Sequence, residues 1–163
     1  NCQFVFLRHF GGGGITKLIG ARLDRAFAKY GLRAVDHCVF LDRLSQSKFV
    51  AAIGQCDIFL DSIGWSGCNS ALESLPQNLP IVTLAGPMMR GRHSTAILRM
   101  MDITETIAQS VEEYVFIAAR LAGNLAERQS LNARIKDNQH KVYRDRACVC
   151  ALEDFLEGAV RAA

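Results

Sequence analysis

A chain of 163 residues, 50% hydrophobic and 21% charged, has the composition of one globular domain with a substantial core, which excludes disordered and fibrous classes. A net charge of +3 is too small and too evenly spread to point to nucleic acid, although it leaves room for an anionic ligand. No apolar run nears the ~20 residues that span a bilayer and no charged-then-apolar leader opens the chain, so a soluble, cytoplasmic protein with neither membrane nor nucleic-acid partners is expected.

Short apolar runs alternate with amphipathic stretches, the pattern of βαβ units around a parallel sheet. The chain opens NCQFVFLRH, without an initiator methionine and already in a strand pattern, and reads as a piece of a longer polypeptide. The first strand is QFVFL, residues 3–7. GGGG at 11–14 stands where a Rossmann phosphate loop would, but it lacks GxGxxG spacing and reads as a flexible connector. A helix over 15–30 follows, with Leu18, Ile19, Leu23 and Phe27 on one side and Gly31 as its C-cap signal. CVFL, 38–41, is the second strand; a helix over 45–53 has Ser45 as its N-cap; DIFL, 57–60, is the third strand. The third helix starts near Asn69 and stops before Pro80, and IVTLA, 81–85, is the fourth strand. A helix over 91–101 precedes a weaker fifth strand within 103–108. Ser110 caps SVEEYVFIAARLA, a polar helix runs through ERQSLNARIKDNQHKVY, and ACVCALEDFLEGAV closes the chain. The expected fold is α/β: a single Rossmann-like domain over 1–163, three-layered, with a parallel sheet of about five strands, helices on both faces and a helical C-terminal third.

The six cysteines include no CxxC pair and make no metal-ligand spacing with His9, His37, His93 or His140, so free thiols and no metal are expected. Open α/β sheets bind ligands at the carboxyl ends of their strands, here DSIGWSG after Leu60 and AGPMMRGRH after Ala85. Gly67, Cys68, Asn69 and Ser70 bring small residues to a helix start, where unpaired N–H groups and the helix dipole suit a phosphate. Gly64 and Gly67 let an anion approach the backbone. Glu73 lies three residues past Ser70 on the same face and would reach a ribose attached to that phosphate. Ser70 and Glu73 also match a capping box, so local grounds leave both readings open. Arg92 and His93 follow the fourth strand, beside Arg90, and are candidate ligands because guanidinium suits phosphate. Trp65 reads either as a wall of a sugar pocket or as partly buried packing, and Met88, Met89, Met100 and Met101 as core filler.

The run DIFLDSIGWSGCNSALESLPQNLPIVTLAGPMMRGRHSTAIL, continued by EEYVFIAARLAGN, resembles the C-terminal catalytic half of the O-linked N-acetylglucosamine transferase and SPINDLY family, in its bacterial branch. The likeness extends from about residue 4 to 155 and is most specific over 61–80 and VTLAGPMMRGRH. It implies the nucleotide-sugar-binding lobe of a two-lobed GT-B glycosyltransferase, which inverts the anomeric carbon of UDP-N-acetylglucosamine as a protein Ser or Thr hydroxyl displaces the nucleotide diphosphate. It further implies that Asn69 and Ser70 contact the diphosphate, that Glu73 holds the ribose, and that a loop over 41–48, Leu44 included, supplies backbone groups for the uracil and a lysine for the phosphates. The register puts Gln46 at that lysine's position with Lys48 two residues on, and both are candidates. Cys68 stands where the animal enzymes have a histidine, and Asn69 where threonine is usual; these changes remove side-chain donors and leave the backbone N–H groups. No cofactor is implied. The partners implied are a nucleotide sugar, a protein acceptor, and an upstream catalytic lobe with TPR repeats, which would hold the acceptor site and any general base; this chain alone is expected to bind nucleotide weakly and transfer nothing. The competing readings are a non-catalytic Rossmann-like binding module and a sister glycosyltransferase that uses another hexose or GDP-fucose.

Overall fold

The computed structural model describes residues 2–8 and 13–161. The chain divides into two compact units, Asn1–Ala51 and Ala52–Ala163. Among the described residues the strands pair in parallel within each unit, β1 with β2 in the first and β3-β4-β5 in the second.

In the first unit, the aromatic and β-branched runs form β1 (Phe4–Leu7) and β2 (Cys38–Leu41), in register from Phe4 opposite Cys38 to Leu7 opposite Leu41. Phe6 and Phe40 stack at 5.1 Å between centroids. Phe27, from α1 (Gly13–Ala28), meets Phe4 edge-on and stacks on His37. Gly13 and Gly14, assigned to a connector by their sequence, instead form the first turn of α1, while Gly11 and Gly12 lie outside the described residues. Gly31 ends the helix region at φ +70°, a conformation glycine adopts without a Cβ penalty. Ala34 is buried, whereas Val5, Leu7, Ile15 and Leu18 are exposed. The chain then enters α2 (Gln46–Ile53), directly after Ser45.

The second unit centres on β4 (Ile81–Leu84), flanked by β3 (Phe59–Leu60) and β5 (Ile107–Ala108). Ile81, Val82 and Thr83 are all buried, as a central parallel strand covered on both faces requires. The unit's helices are α3 (Asn69–Ser74), α4 (His93–Met100), α5 (Val111–Gly123), α6 (Leu125–Asn138), α7 (His140–Tyr143) and α8 (Ala147–Arg161), of which α4 and α5 pack on β4. Leu75, Leu98, Met101, Ile103, Leu121 and Ile135 fill the core. Ser110 caps α5 as its pattern predicts, its Oγ accepting from Glu113 N at 3.1 Å. Asn124 does the same for α6. Of the four methionines read as core filler only Met101 is buried; Met88, Met89 and Met100 are exposed. α8 buries no residue, leaving Val149, Leu152, Phe155, Leu156 and Val160 exposed. Among the described residues no helix is long and apolar enough to cross a membrane.

Candidate functional site

The site is organised by Asp61, the first residue past β3. Its amide continues the ladder to Val82 O at 2.9 Å, and its side chain is only 2% exposed. A carboxylate so buried needs hydrogen-bond donors, and three supply them. Oδ2 accepts from Ser66 Oγ at 2.7 Å and from Thr83 Oγ1 at 2.6 Å, and Oδ1 accepts from Gly67 N at 2.6 Å. Ser94, in the first turn of α4, donates its N–H to Ser66 Oγ at 2.9 Å and its hydroxyl to Gly67 O at 3.1 Å. The Tyr114 hydroxyl of α5 donates to Asp61 O at 2.9 Å; burial, and secondarily the charge of Asp61, push this phenol well above its ordinary range. One strand and two helices thus fasten the loop that leads into α3.

The loop after β4 is stitched to the first. Gly86 N donates to Gly91 O at 2.7 Å, and Ser66 N to Arg90 O at 2.7 Å. Gly86 and Gly91 approach so closely that a Cβ on either would meet the other's Cα at 3.2 Å.

Between these loops lies a cleft of about 440 Å³ lined by Trp65, Gly67, Cys68, Asn69, Ser70, Arg90 and His93, among others. Among the described residues, the amides of Cys68, Asn69 and Ser70 donate to no protein acceptor; that of Gly67 is taken by Asp61. The N-cap position of α3 is Cys68, which makes no side-chain cap bond. Ser70 therefore sits inside the first turn, and the capping box with Ser70 as its cap does not form. Arg90 lies over the Trp65 ring at 5.8 Å from its centroid. Trp65 is 71% exposed, so it is a wall of the cleft and not packing.

The sequence candidates fall into three groups. Gly67, Cys68, Asn69, Ser70 and His93 come together in the cleft. Glu73 lies one turn further along α3 and does not line it; its charge, after burial, helps raise the phenol of Tyr143, whose hydroxyl donates to Leu72 O. Arg92 lines a separate cavity, because the short 3-10 turn Met89–Gly91 turns Arg90, not Arg92, into the cleft. Leu44, Gln46 and Lys48 belong to the first unit, with Leu44 half-buried and Gln46 and Lys48 exposed on the first turn of α2. Sequence reasoning missed the anchoring role of Asp61 and its partners Ser66, Thr83, Ser94 and Tyr114. The available signal was an aspartate directly after a strand, ahead of a Ser- and Gly-rich loop. Among the described residues no three His, Cys, Asp or Glu side chains converge to hold a metal ion.

Residues 19–145 match the family model described as glycosyl transferase family 41. Over 102 residues the chain is 29% identical to the probable UDP-N-acetylglucosamine–peptide N-acetylglucosaminyltransferase SPINDLY of Oryza sativa subsp. japonica, covering 63% of this chain and 10% of that protein. It is 24% identical over 110 residues to the UDP-N-acetylglucosamine–peptide N-acetylglucosaminyltransferase of Giardia intestinalis, covering 67% of this chain and 7% of that one. Among solved structures, a mutant of the Thermobaculum terrenum O-GlcNAc transferase superposes with a TM-score of 0.77 at 26% identity, over 94% of this chain and 29% of that one. The chain therefore spans a tenth or less of these curated relatives and under a third of the solved one.

Proposed function

The chain belongs to glycosyl transferase family 41, and we propose that it is the nucleotide-sugar-binding lobe of an inverting protein O-glycosyltransferase that moves N-acetylglucosamine from UDP-N-acetylglucosamine to Ser or Thr hydroxyls. The observation that carries this reading is the cleft at the carboxyl end of β3, where the unengaged amides of Cys68, Asn69 and Ser70 meet Arg90 and His93. Fixed N–H dipoles and a guanidinium are the donors a diphosphate requires. Glu73, one turn on, is the proposed partner of the ribose diol.

In the reaction the acceptor oxygen bonds to the anomeric carbon as the bond from that carbon to the β-phosphate oxygen breaks, and the bonding pair leaves with UDP. Preorganised donors that meet the charge developing on the leaving diphosphate lower the barrier. Here those donors are the three amides and Arg90, so the reading assigns no step to a metal or cofactor. The acceptor site and the general base are assigned to parts of a longer, cytoplasmic protein, namely a second catalytic lobe and helical repeats. On this reading the chain alone binds nucleotide weakly and transfers no sugar.

Calorimetry with UDP, GDP and UDP-N-acetylglucosamine tests the reading. UDP is expected to bind, and Arg90→Ala to weaken it roughly tenfold, about 1.4 kcal/mol. Preference for GDP would move the assignment to a sister enzyme, and no heat with any nucleotide would move it to a non-catalytic module. Glycosylation of a peptide by this chain alone would refute the division between lobes.

A further inference from the structure

A second cavity, of about 370 Å³, opens beside the loop after β4 and the first turn of α4, lined by Gly86, Met89, Arg92, His93, Thr95 and Arg99, among others. No carboxylate lines it. Among the described residues neither Arg92 nor Arg99 forms an ion pair. Two guanidiniums side by side repel each other, and Arg92, at the N-cap of α4, also meets the partial positive charge of the helix start, whereas Arg99 lies in the last turn. Two positive side chains therefore share this cavity with no lining carboxylate to offset them.

The donors there are unengaged too. Within the first turn of α4 the Ser94 amide is taken by Ser66 and the Ala96 amide by Arg92 O, while those of His93 and Thr95 have no acceptor among the described residues. Thr95 is 3% exposed, and its Oγ1 has no hydrogen-bond partner. A buried hydroxyl without a partner is costly and rare in folded proteins, and an oxyanion ligand would satisfy it.

We propose that this cavity is a phosphate-binding site separate from the cleft at α3, in which a tetrahedral dianion takes hydrogen bonds from Arg92, Arg99, the Thr95 hydroxyl and the free amides of the α4 first turn. It does not rest on the donor reading of the other cleft, although His93 lines both.

The test is amide-resolved NMR of the whole chain titrated, at constant ionic strength, with inorganic phosphate, with glycerol phosphate and with UDP. Phosphate or its monoester is expected to produce saturable shifts at His93, Thr95 and Ala96; saturation by free phosphate identifies the ion itself as sufficient, and saturation by the monoester alone identifies a phosphorylated organic ligand. Arg99→Met is expected to weaken that binding at least tenfold, and Arg99→Lys, which keeps the charge and loses the fork, to weaken it less. An unchanged spectrum elsewhere checks that Arg99→Met folds; should it not, the Arg99→Lys titration decides. Linear, unsaturable shifts with both phosphates overturn the proposal, as does an Arg99 variant series that titrates like the unsubstituted chain, or UDP displacing phosphate from Thr95. UDP leaving Cys68, Asn69 and Ser70 unshifted would sink the donor reading alone.

Discussion

Replacing Asp61 tests whether one buried carboxylate holds the cleft together. Asp61→Ala strands three donors at once: the Ser66 hydroxyl, the Thr83 hydroxyl and the Gly67 amide. Ser66 and Thr83 are 3% and 0% exposed, so water replaces the lost acceptor poorly. Each hydrogen bond to a charged group contributes about 1.5–3 kcal/mol, but the three share one carboxylate and do not add. The expected cost is that of breaking a buried charged network, about 3–5 kcal/mol, a large part of the 5–15 kcal/mol that typically separates folded from unfolded. Asp61→Asn keeps the shape and an oxygen for Gly67, and puts an NH₂ against two hydroxyls free to rotate. Ser66 already has a second acceptor in Ser94 Oγ at 3.1 Å, so the asparagine is expected to cost about 1–2 kcal/mol. Urea denaturation followed by circular dichroism gives the global change. Fluorescence of Trp65, the sole tryptophan, reports on the loop itself. A loss under about 1 kcal/mol for the alanine, or equal losses for alanine and asparagine, would refute the network argument.

Gly86→Ala places a Cβ 3.2 Å from the Gly91 Cα and carbonyl oxygen; because both are backbone atoms, a loss of about 1–3 kcal/mol is expected in the same denaturation, and an unchanged midpoint would contradict the close approach. Tyr114 is held neutral by burial and then by the charge of Asp61. Its raised value means that stability, intact below the ordinary phenol value of 10.0, falls as pH rises beyond it; comparing the ultraviolet titration of the chain with that of Tyr114→Phe is expected to show this phenol ionising well above that value, and ionisation near it would count against the burial argument. The Asp102 carboxyl is held below its ordinary 3.8 by a hydrogen bond from Lys141 and then by that lysine's charge. Its contribution is present above that pH and lost as pH falls below it; Lys141→Met is expected to return the carboxyl to its ordinary range, read from the carboxyl-carbon shift.

Regular elements with strong local signals were legible. β2 occupies the predicted CVFL, β4 all but the last residue of IVTLA, and Ser110 caps where its position before an apolar-periodic run placed it. The signals failed where tertiary contacts set the outcome. β3 and β5 shrink to two residues each: β3 pairs with the first half of β4, at Ile81 and Val82, and β5 with the second half, at Thr83 and Leu84. The third helix breaks after Ser74 into a 3-10 turn that ends on Asn78 at φ 55°, which spacing alone does not reveal. At the candidate site, the sequence pattern showed that the run Gly67 to Ser70 leads into a helix, and the structure places those residues along a cleft. The exchange of Arg92 for Arg90 was not, because one short turn decides which of two nearby arginines faces a given space. Asp61 went unassigned because its acceptor role depends on Thr83, distant in sequence and adjacent only once the sheet has formed.

The bare apolar side chains of α8 bear on handling. An oily stripe this exposed invites copies of the chain to stick to one another as concentration rises, so loss of material during purification would reflect surface chemistry and not a weak fold. Leu152→Lys with Phe155→Lys changes side chains that are mostly exposed and should change thermal stability by no more than about 0.5 kcal/mol while raising the concentration at which the chain stays clear. That double variant makes a practical parent for the spectroscopy described above.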